Sequence, residues 1–403
     1  MRYILLAFVL CCSLSGFSQY KNDNTLFKTV FVEDLCSQLK KTPGALLLDV
    51  RSKGEYEDTS TFYSLNIGRL TNTTHLDITE MPARWRELTA YKDKPVYVMC
   101  SHSQRSRRVS KMLTDSGFTN IINVNGGLTT YNLLPAAAVC KDQLYQTANS
   151  FKFISPLDLC SFLNANKDAF ILDVRSDSTY KGIATNERQN AAGNIKGSVS
   201  IPFASLESSL SQIPSGKKIL VVDDFGNDAP RAALLLLKKG HTDVQVLFNG
   251  MDMLMSRSRN EVNCMDKFLT RTASYQLISS DEFDALVRKE QNLTIVDVRP
   301  ADEFSNQSKT GWRNIGRIRN AVNIPDSVFA SRINELDKNK KIVIYYFSNG
   351  TDAFRSAKRL TDQGFKNVYV LTGGIFNLRW QAANYKGRSQ LKEHVVDIPA
   401  ENL

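Results

Sequence analysis

The chain has 403 residues, 42% hydrophobic, 23% charged and 9% aromatic, the make-up of globular protein long enough for about two to four domains; disorder, collagen-like sequence and coiled coil are excluded. Lys plus Arg at 51 against Asp plus Glu at 41 gives a formal charge of +10. The basic residues are scattered, with no run longer than Arg107-Arg108 or Lys338 to Lys341, so they form a solvated surface suited to small anions rather than to nucleic acid.

In chain order, the first eighteen residues read as a signal peptide: Arg2 supplies a charge, Tyr3 to Cys12 an apolar core, and Gly16 and Ser18 the small residues of a cleavage site. Cleavage after Ser18 would start the mature chain at Gln19 and export it to the periplasm or beyond. A membrane span needs about twenty apolar residues; this core is about half that and no later segment comes close, so no span is expected. Lipidation is disfavoured because Cys11 and Cys12 follow Val9-Leu10 and Leu10-Cys11 rather than a small residue.

Self-comparison sets the organisation. Leu47-Leu48-Asp49-Val50-Arg51 recurs as Ile171-Leu172-Asp173-Val174-Arg175 and Ile295-Val296-Asp297-Val298-Arg299. Asn125-Gly126-Gly127-Leu128 matches Asn249-Gly250-Met251 and Gly373-Gly374-Ile375, and Leu113 to Phe118 reappears as Leu360 to Phe365. A period this long means three tandem domains rather than a solenoid: residues 20–143, 144–267 and 268–391, then a tail at 392–403. In the first copy an apolar run (Ala45 to Val50), a turn-rich connection, a second run (Val96 to Met99), an amphipathic segment (Ser106 to Ser116) and a third run (Ile121 to Val124) follow one another. That order predicts an α/β unit, a mainly parallel sheet flanked by helices, with the loop after the second run at the carboxyl end of a strand where such sheets take their ligands.

Taken together, Asp-Val-Arg, the acidic residue four positions after that Arg (Glu55-Tyr56, Glu303-Phe304), a strand ending in Cys100 and the closing Gly-Gly resemble the rhodanese family. Gly193 to Ser198 with Ile201-Pro202, and Ile315 to Ile318 with Asn323-Ile324-Pro325, resemble the family's Gly-His-Ile-x-Gly-Ala-x-Asn-Ile-Pro stretch. The resemblance covers almost the whole mature chain, three times over. It implies three rhodanese-like domains and sulfurtransferase activity.

Cys100-Ser101-His102-Ser103-Gln104-Arg105-Ser106 is the segment able to do chemistry. A thiol between a strand end and a helix start faces unpaired backbone N–H groups and the positive end of the helix dipole, which favour the nucleophilic thiolate. By resemblance, Cys100 would take a sulfane sulfur as a persulfide. Arg105 would bind the donor, and the N–H groups of Ser101, His102, Ser103, Gln104 and Arg105 would cradle the terminal sulfur. Arg107 and Arg108 would extend the field toward an anionic donor. The expected donor is a small sulfur-containing anion, and the acceptor a thiol, cyanide or a partner protein's cysteine; no cofactor is expected. The family loop commonly reads Cys-Arg-x-Gly-x-Arg, and Ser101 and Ser103 replace its first arginine and its glycine, which weakens the case for thiosulfate in particular. Tyrosine phosphatases, and the phosphatases of this fold, have one more residue between Cys and Arg, so phosphatase chemistry is disfavoured.

Aligned without gaps, Cys100 falls on Asp223 and Phe347, and Arg105 on Asp228 and Asp352, so the second and third loops are expected to be inactive. Arg108, Arg231 and Arg355 align in all three copies, which points to a structural helix role. Asp49, Asp173 and Asp297 recur in copies without a nucleophile and are expected to tie strand ends to nearby backbone. Asp223 is either a cation ligand or, preferred, a relic of a decayed site. His102 would tune specificity rather than act as a base. The four histidines are dispersed and there is no Cys-x-x-Cys, so no metal site is expected.

Five cysteines remain after the signal peptide. Cys36 and Cys140 reappear one period later as Cys160 and Cys264, and a further period finds Asp284 and Arg388. Cysteines present together in two copies and absent together from the third suggest the disulfides Cys36–Cys140 and Cys160–Cys264, leaving Cys100 free in an oxidising compartment; four buried thiols inherited by duplication are the alternative. The functional reading is an exported sulfurtransferase working through Cys100. Its rivals are a non-catalytic multi-domain scaffold and a thiol-based redox protein.

Overall fold

The computed structural model describes residues 20–138 and 140–400; the signal peptide expected at 1–18 lies outside the described residues. Three five-stranded parallel sheets follow one another along the chain, each flanked by helices. In the first, the strand order is Lys28–Phe31, Ile121–Asn125, Val96–Met99, Leu46–Asp49, Thr74–His75. The second and third repeat it around Phe170–Asp173 and Leu293–Asp297. Leu46–Asp49 is buried at all four positions because helices cover both faces: Leu46 and Leu48 pack into one core and Leu47 into another, the alternation a pleated strand imposes.

The expected strands and helix are present, with the helix beginning at Gln104 rather than Ser106 and ending at Asp115. Two short edge strands, Lys28–Phe31 and Thr74–His75, carry too little apolar pattern to be read from the sequence. The expected domain boundaries need correction. Tyr145–Gln146 turns back to pair antiparallel with Arg69–Leu70, Leu269–Thr270 with Asn194–Ile195, and Val395–Val396 with Arg317–Ile318. Each unit therefore closes with a strand just past its expected end, and part of the expected tail belongs to the third sheet unit.

The Asp-Val-Arg motif makes the same joint in each copy. Asp49 accepts the Arg51 N–H at 3.0 Å and its guanidinium at 2.8 Å, and Arg51 Nη2 reaches the Gly68 carbonyl at 2.9 Å. Arg175 reaches Gly193, and Arg299 reaches Gly316, each at 2.9 Å. The expected bond from the aspartate to backbone is there, but the motif's own arginine, fully buried in the first and third copies, is its main partner. Cys36 is bonded to Cys140 and Cys160 to Cys264, each closing a 104-residue separation; Cys100 is the free cysteine among the described residues.

The three units share their cores. Phe248 of the second and Trp380 and Tyr385 of the third pack with Leu47, Tyr97 and Leu128 of the first, while another cluster runs from Leu159 to Val370 across the second and third.

Replacing Arg299 by Met leaves Asp297 as an uncompensated buried charge and is expected to destabilise the protein by about 3 to 5 kcal/mol. Urea unfolding checks this, and a loss below about 1 kcal/mol would show that water reaches the site.

Candidate functional site

Cys100 follows the strand Val96–Met99 and precedes the helix Gln104–Asp115. Its residue exposure is 1%, and Sγ donates weakly to Ser106 Oγ at 3.7 Å. The loop is clamped from beneath: Leu128 N–H bonds to the Cys100 carbonyl at 2.9 Å and Thr129 N–H to the Ser101 carbonyl at 3.0 Å. That close approach needs Gly127, where a Cβ would meet the Cys100 carbonyl oxygen at 2.3 Å. Ser103 occupies a left-handed conformation, φ +68°, at the place where the family has glycine. Its buried hydroxyl offsets the conformational cost by donating to the Val124 carbonyl at 2.8 Å.

The N–H groups of Ser101 to Ser106 have no acceptor among the described residues. Their direction is shown by the second copy, where Asp223 stands in the place of Cys100. There the Asp223 carboxylate accepts N–H groups from Gly226, Asp228 and Ala229 at 2.8, 2.8 and 2.9 Å, the counterparts of Ser103, Arg105 and Ser106. Burial raises the Asp223 carboxyl to about 6 even though these bonds favour its anion. Asp223 is thus a built-in occupant of an anion cradle, neither a cation ligand nor merely a relic.

The third copy departs from the ungapped alignment. Asp49 pairs in register with Met99, Asp173 with Val222 and Asp297 with Tyr345, so Tyr346 rather than Phe347 stands where Cys100 does. Its loop holds one extra residue before the helix, because Ala353 takes the buried first-turn place of Ser106 and Ala229. Loop lengths cannot be compared until the strand register is known, which is why the sequence placed Phe347 there.

Arg105 does not present an unpaired charge to a donor. Its guanidinium grips Glu55 at 2.5 and 2.7 Å and donates to Ser101 Oγ at 2.9 Å. Burial raises the Glu55 carboxyl, but Arg105 and the N–H and hydroxyl of Ser52 outweigh it and hold the carboxyl at about 2. Arg107 also points elsewhere, bonded to Asp23, Asn125 and Asn384. Arg108 is exposed and makes no ion pair among the described residues, whereas Arg231 pairs with Asp228 and Arg355 with Asp326; the shared arginine has no shared structural role. His102 sits between Ser101 Oγ at 3.0 Å and Thr129 Oγ1 at 3.2 Å. It is exposed on the cavity, yet the protein packed around its ring and the nearby Arg105 charge push it down to about 4. It is neutral at neutral pH. Gln104 is exposed on the same cavity.

Sequence reasoning missed the brace from the third domain. Trp380 Nε1 donates to the His102 carbonyl at 3.2 Å; Asn384 Oδ1 accepts from Gly126 N–H at 3.1 Å and Arg107 at 3.0 Å; Asn125 donates to the Ala383 carbonyl at 2.9 Å. Nothing local marks residues some 280 positions away as partners of the loop.

The depressed Glu55 pKa stabilises the fold fully above the ordinary carboxylate range near 4.5, and this contribution is lost as pH falls toward 2. The stability gap between wild type and Glu55→Gln should therefore be constant above pH 5 and close between about pH 4.5 and 2 in thermal melts. A pH-independent gap would mean that Glu55 acts by packing alone.

The Rhodanese-like domain family matches residues 32–133, 156–255 and 279–382. Among curated proteins, "Thiosulfate sulfurtransferase GlpE" of Coxiella burnetii is 31% identical over 101 residues, 25% of this chain and 84% of that protein. "Uncharacterized protein YqhL" of Bacillus subtilis is 29% identical over 110 residues, 27% of this chain and 76% of that protein. Among solved structures, a thiosulfate sulfurtransferase from Pseudomonas aeruginosa aligns at 16% identity and TM-score 0.23, covering 86% of this chain and 66% of that one. An anaerobic ergothioneine biosynthesis enzyme from Chlorobium limicola aligns at 13% identity and TM-score 0.27, covering 89% and 98%. With three matched domains, each built around the same buried Asp-Val-Arg joint, the chain belongs to the rhodanese-like family.

Proposed function

We propose that this protein is an exported sulfurtransferase in which Cys100 of the first domain carries sulfane sulfur and the other two domains are not catalytic. The observation that carries the reading is the pair of cradles. Backbone N–H groups of the Cys100 loop have no acceptor among the described residues, and the counterparts of three of them, those of Ser103, Arg105 and Ser106, hold a carboxylate in the second domain. A persulfide anion places its terminal atom two bonds from Cβ, as that carboxylate does, and carries the same charge. The curated relative named a thiosulfate sulfurtransferase supports the same chemistry.

In the first step the Cys100 thiolate attacks the outer sulfur of a donor such as thiosulfate. The donor's S–S bond breaks, sulfite leaves with the electron pair, and the cysteine becomes a persulfide anion held by the cradle. An acceptor thiolate or cyanide then attacks the terminal sulfur and releases the Cys100 thiolate, so oxidation levels balance over the cycle. Arg105, held by Glu55, contributes by fixing the loop and by its positive field rather than as a free ligand. Neutral His102 lines the approach without acting as a base. The two disulfides support an oxidising compartment, in keeping with export.

The scaffold reading draws on the 1% exposure of Cys100 and on two domains without a nucleophile. Intact mass separates the two. Thiosulfate, mercaptopyruvate or polysulfide should add one sulfur to the mature chain, cyanide should remove it, and Cys100→Ser should never acquire it; no gain from any donor would leave the scaffold. Trp380→Phe keeps the ring but deletes the bond to the His102 carbonyl, and should slow sulfur loading about tenfold or more in stopped-flow assays. Unchanged loading would mean that the first domain positions its loop unaided.

A further inference from the structure

We propose that Glu55 sets the donor class of the Cys100 loop: by cancelling the Arg105 charge it makes the site favour sulfane donors with at most one negative charge, such as organic persulfides and thiosulfonates, over the dianion thiosulfate. The inference rests on the sulfur-transfer reading and deepens it.

Charge pairing carries it. A dianionic donor brings one charge with the sulfur that is transferred and a second with the sulfonate that leaves, so loading calls for a cation beyond the loop N–H groups. Arg105 is bonded to Ser101, the residue after Cys100, at 2.9 Å. Glu55, whose side chain is 4% exposed, takes its Nη1 and Nη2 at 2.5 and 2.7 Å, and such a bidentate pair presents no net charge to a donor. Arg51 is answered by Asp49 and Arg107 by Asp23, each at 2.8 Å. Arg108 lies in water on the helix surface, where its field is screened. On the His102 side is the cavity that the three domains line through Thr129, Asp252 and Phe376, each two residues past the glycine that opens its helix. Its Asp252 is paired with Arg188 and its Arg257 with Glu261, so among the described residues it offers a donor no unmatched cation.

The copies show what the cradle holds by itself. In the second domain it holds one charge, the Asp223 carboxylate, and burial raises even that to about 6. The same comparison ties Glu55 to Arg105. In the second domain Asp228 stands for Arg105 and Thr179 for Glu55, each of the latter two being the third residue of the short helix after the Asp-Val-Arg motif; neither partner is kept. In the third, Asp352 stands for Arg105, and Glu303, which is kept, takes Arg313 instead. The carboxylate is present only where a guanidinium is there to be neutralised.

The test compares thiosulfate with methanethiosulfonate, in which a methyl group replaces one charged oxygen. With either donor the Cys100 thiolate attacks the outer sulfur, the donor's S–S bond breaks, and sulfite or methanesulfinate leaves with the electron pair, so the two differ by one charge at the leaving end. Loading of the full mature chain is followed by stopped flow and intact mass. Glu55→Gln is expected to raise the thiosulfate-to-methanethiosulfonate rate ratio at least about tenfold, the factor that one hydrogen bond to a charged group supplies; a purely positional role would change both rates together. Cys100→Ser, which binds without reacting, is expected to hold thiosulfate no more tightly than methanethiosulfonate in calorimetric titration, and this decides the matter if Glu55→Gln fails to fold. An unchanged ratio in folded Glu55→Gln, or thiosulfate bound about tenfold or more tightly by Cys100→Ser, would overturn the assignment and leave sulfur transfer standing. No loading of the unaltered chain by either donor would overturn both.

Discussion

The buried pair between Asp49 and Arg51, repeated as Asp173 with Arg175 and Asp297 with Arg299, is the joint on which each domain depends. A strand end is where backbone groups lose their ladder partners. Placing a carboxylate there and answering it with an arginine two residues on lets one guanidinium reach both the strand and the crossing segment at Gly68, Gly193 or Gly316. Neither charge would be tolerated alone so far from water. In the first domain the chain of contacts continues. Arg51 bonds to the Glu55 carbonyl at 3.2 Å, Glu55 grips Arg105, and Arg105 steadies Ser101 beside the cysteine.

Divergence among the copies follows from what fills the end of that loop. Three N–H groups aimed at one point require an anion or a water there, since unpaired buried donors are costly. The second domain answers with its own carboxylate. The third substitutes Tyr346, adds a residue to the loop, and turns its acidic residue, Glu303, to Arg313 of the connecting segment. The first places its free thiol, Cys100, at the corresponding point.

Shared cores tie the second and third domains to the first. Trp380 and Tyr385 complete the apolar face beneath the first sheet, and the same helix supplies Asn384 to the turn at Gly126 and to Arg107. The third domain is thereby part of the first domain's loop support, and the three post-glycine helices enclose the central cavity together.

Much of this was legible in the residues alone. The 124-residue period, the strand–loop–helix order and the position of Cys100 rest on local patterns of hydrophobicity and glycine, which short-range backbone physics dictates, and the paired cysteines share the same period. The tertiary structure alone decided that Glu55 claims Arg105, that Arg107 faces Asp23 and Asn384 rather than a donor, that Tyr346 and not Phe347 replaces the cysteine, and that Trp380 touches His102. Those facts depend on strand register and on packing between residues up to some 280 positions apart, where the distance along the chain carries no information about the distance in space.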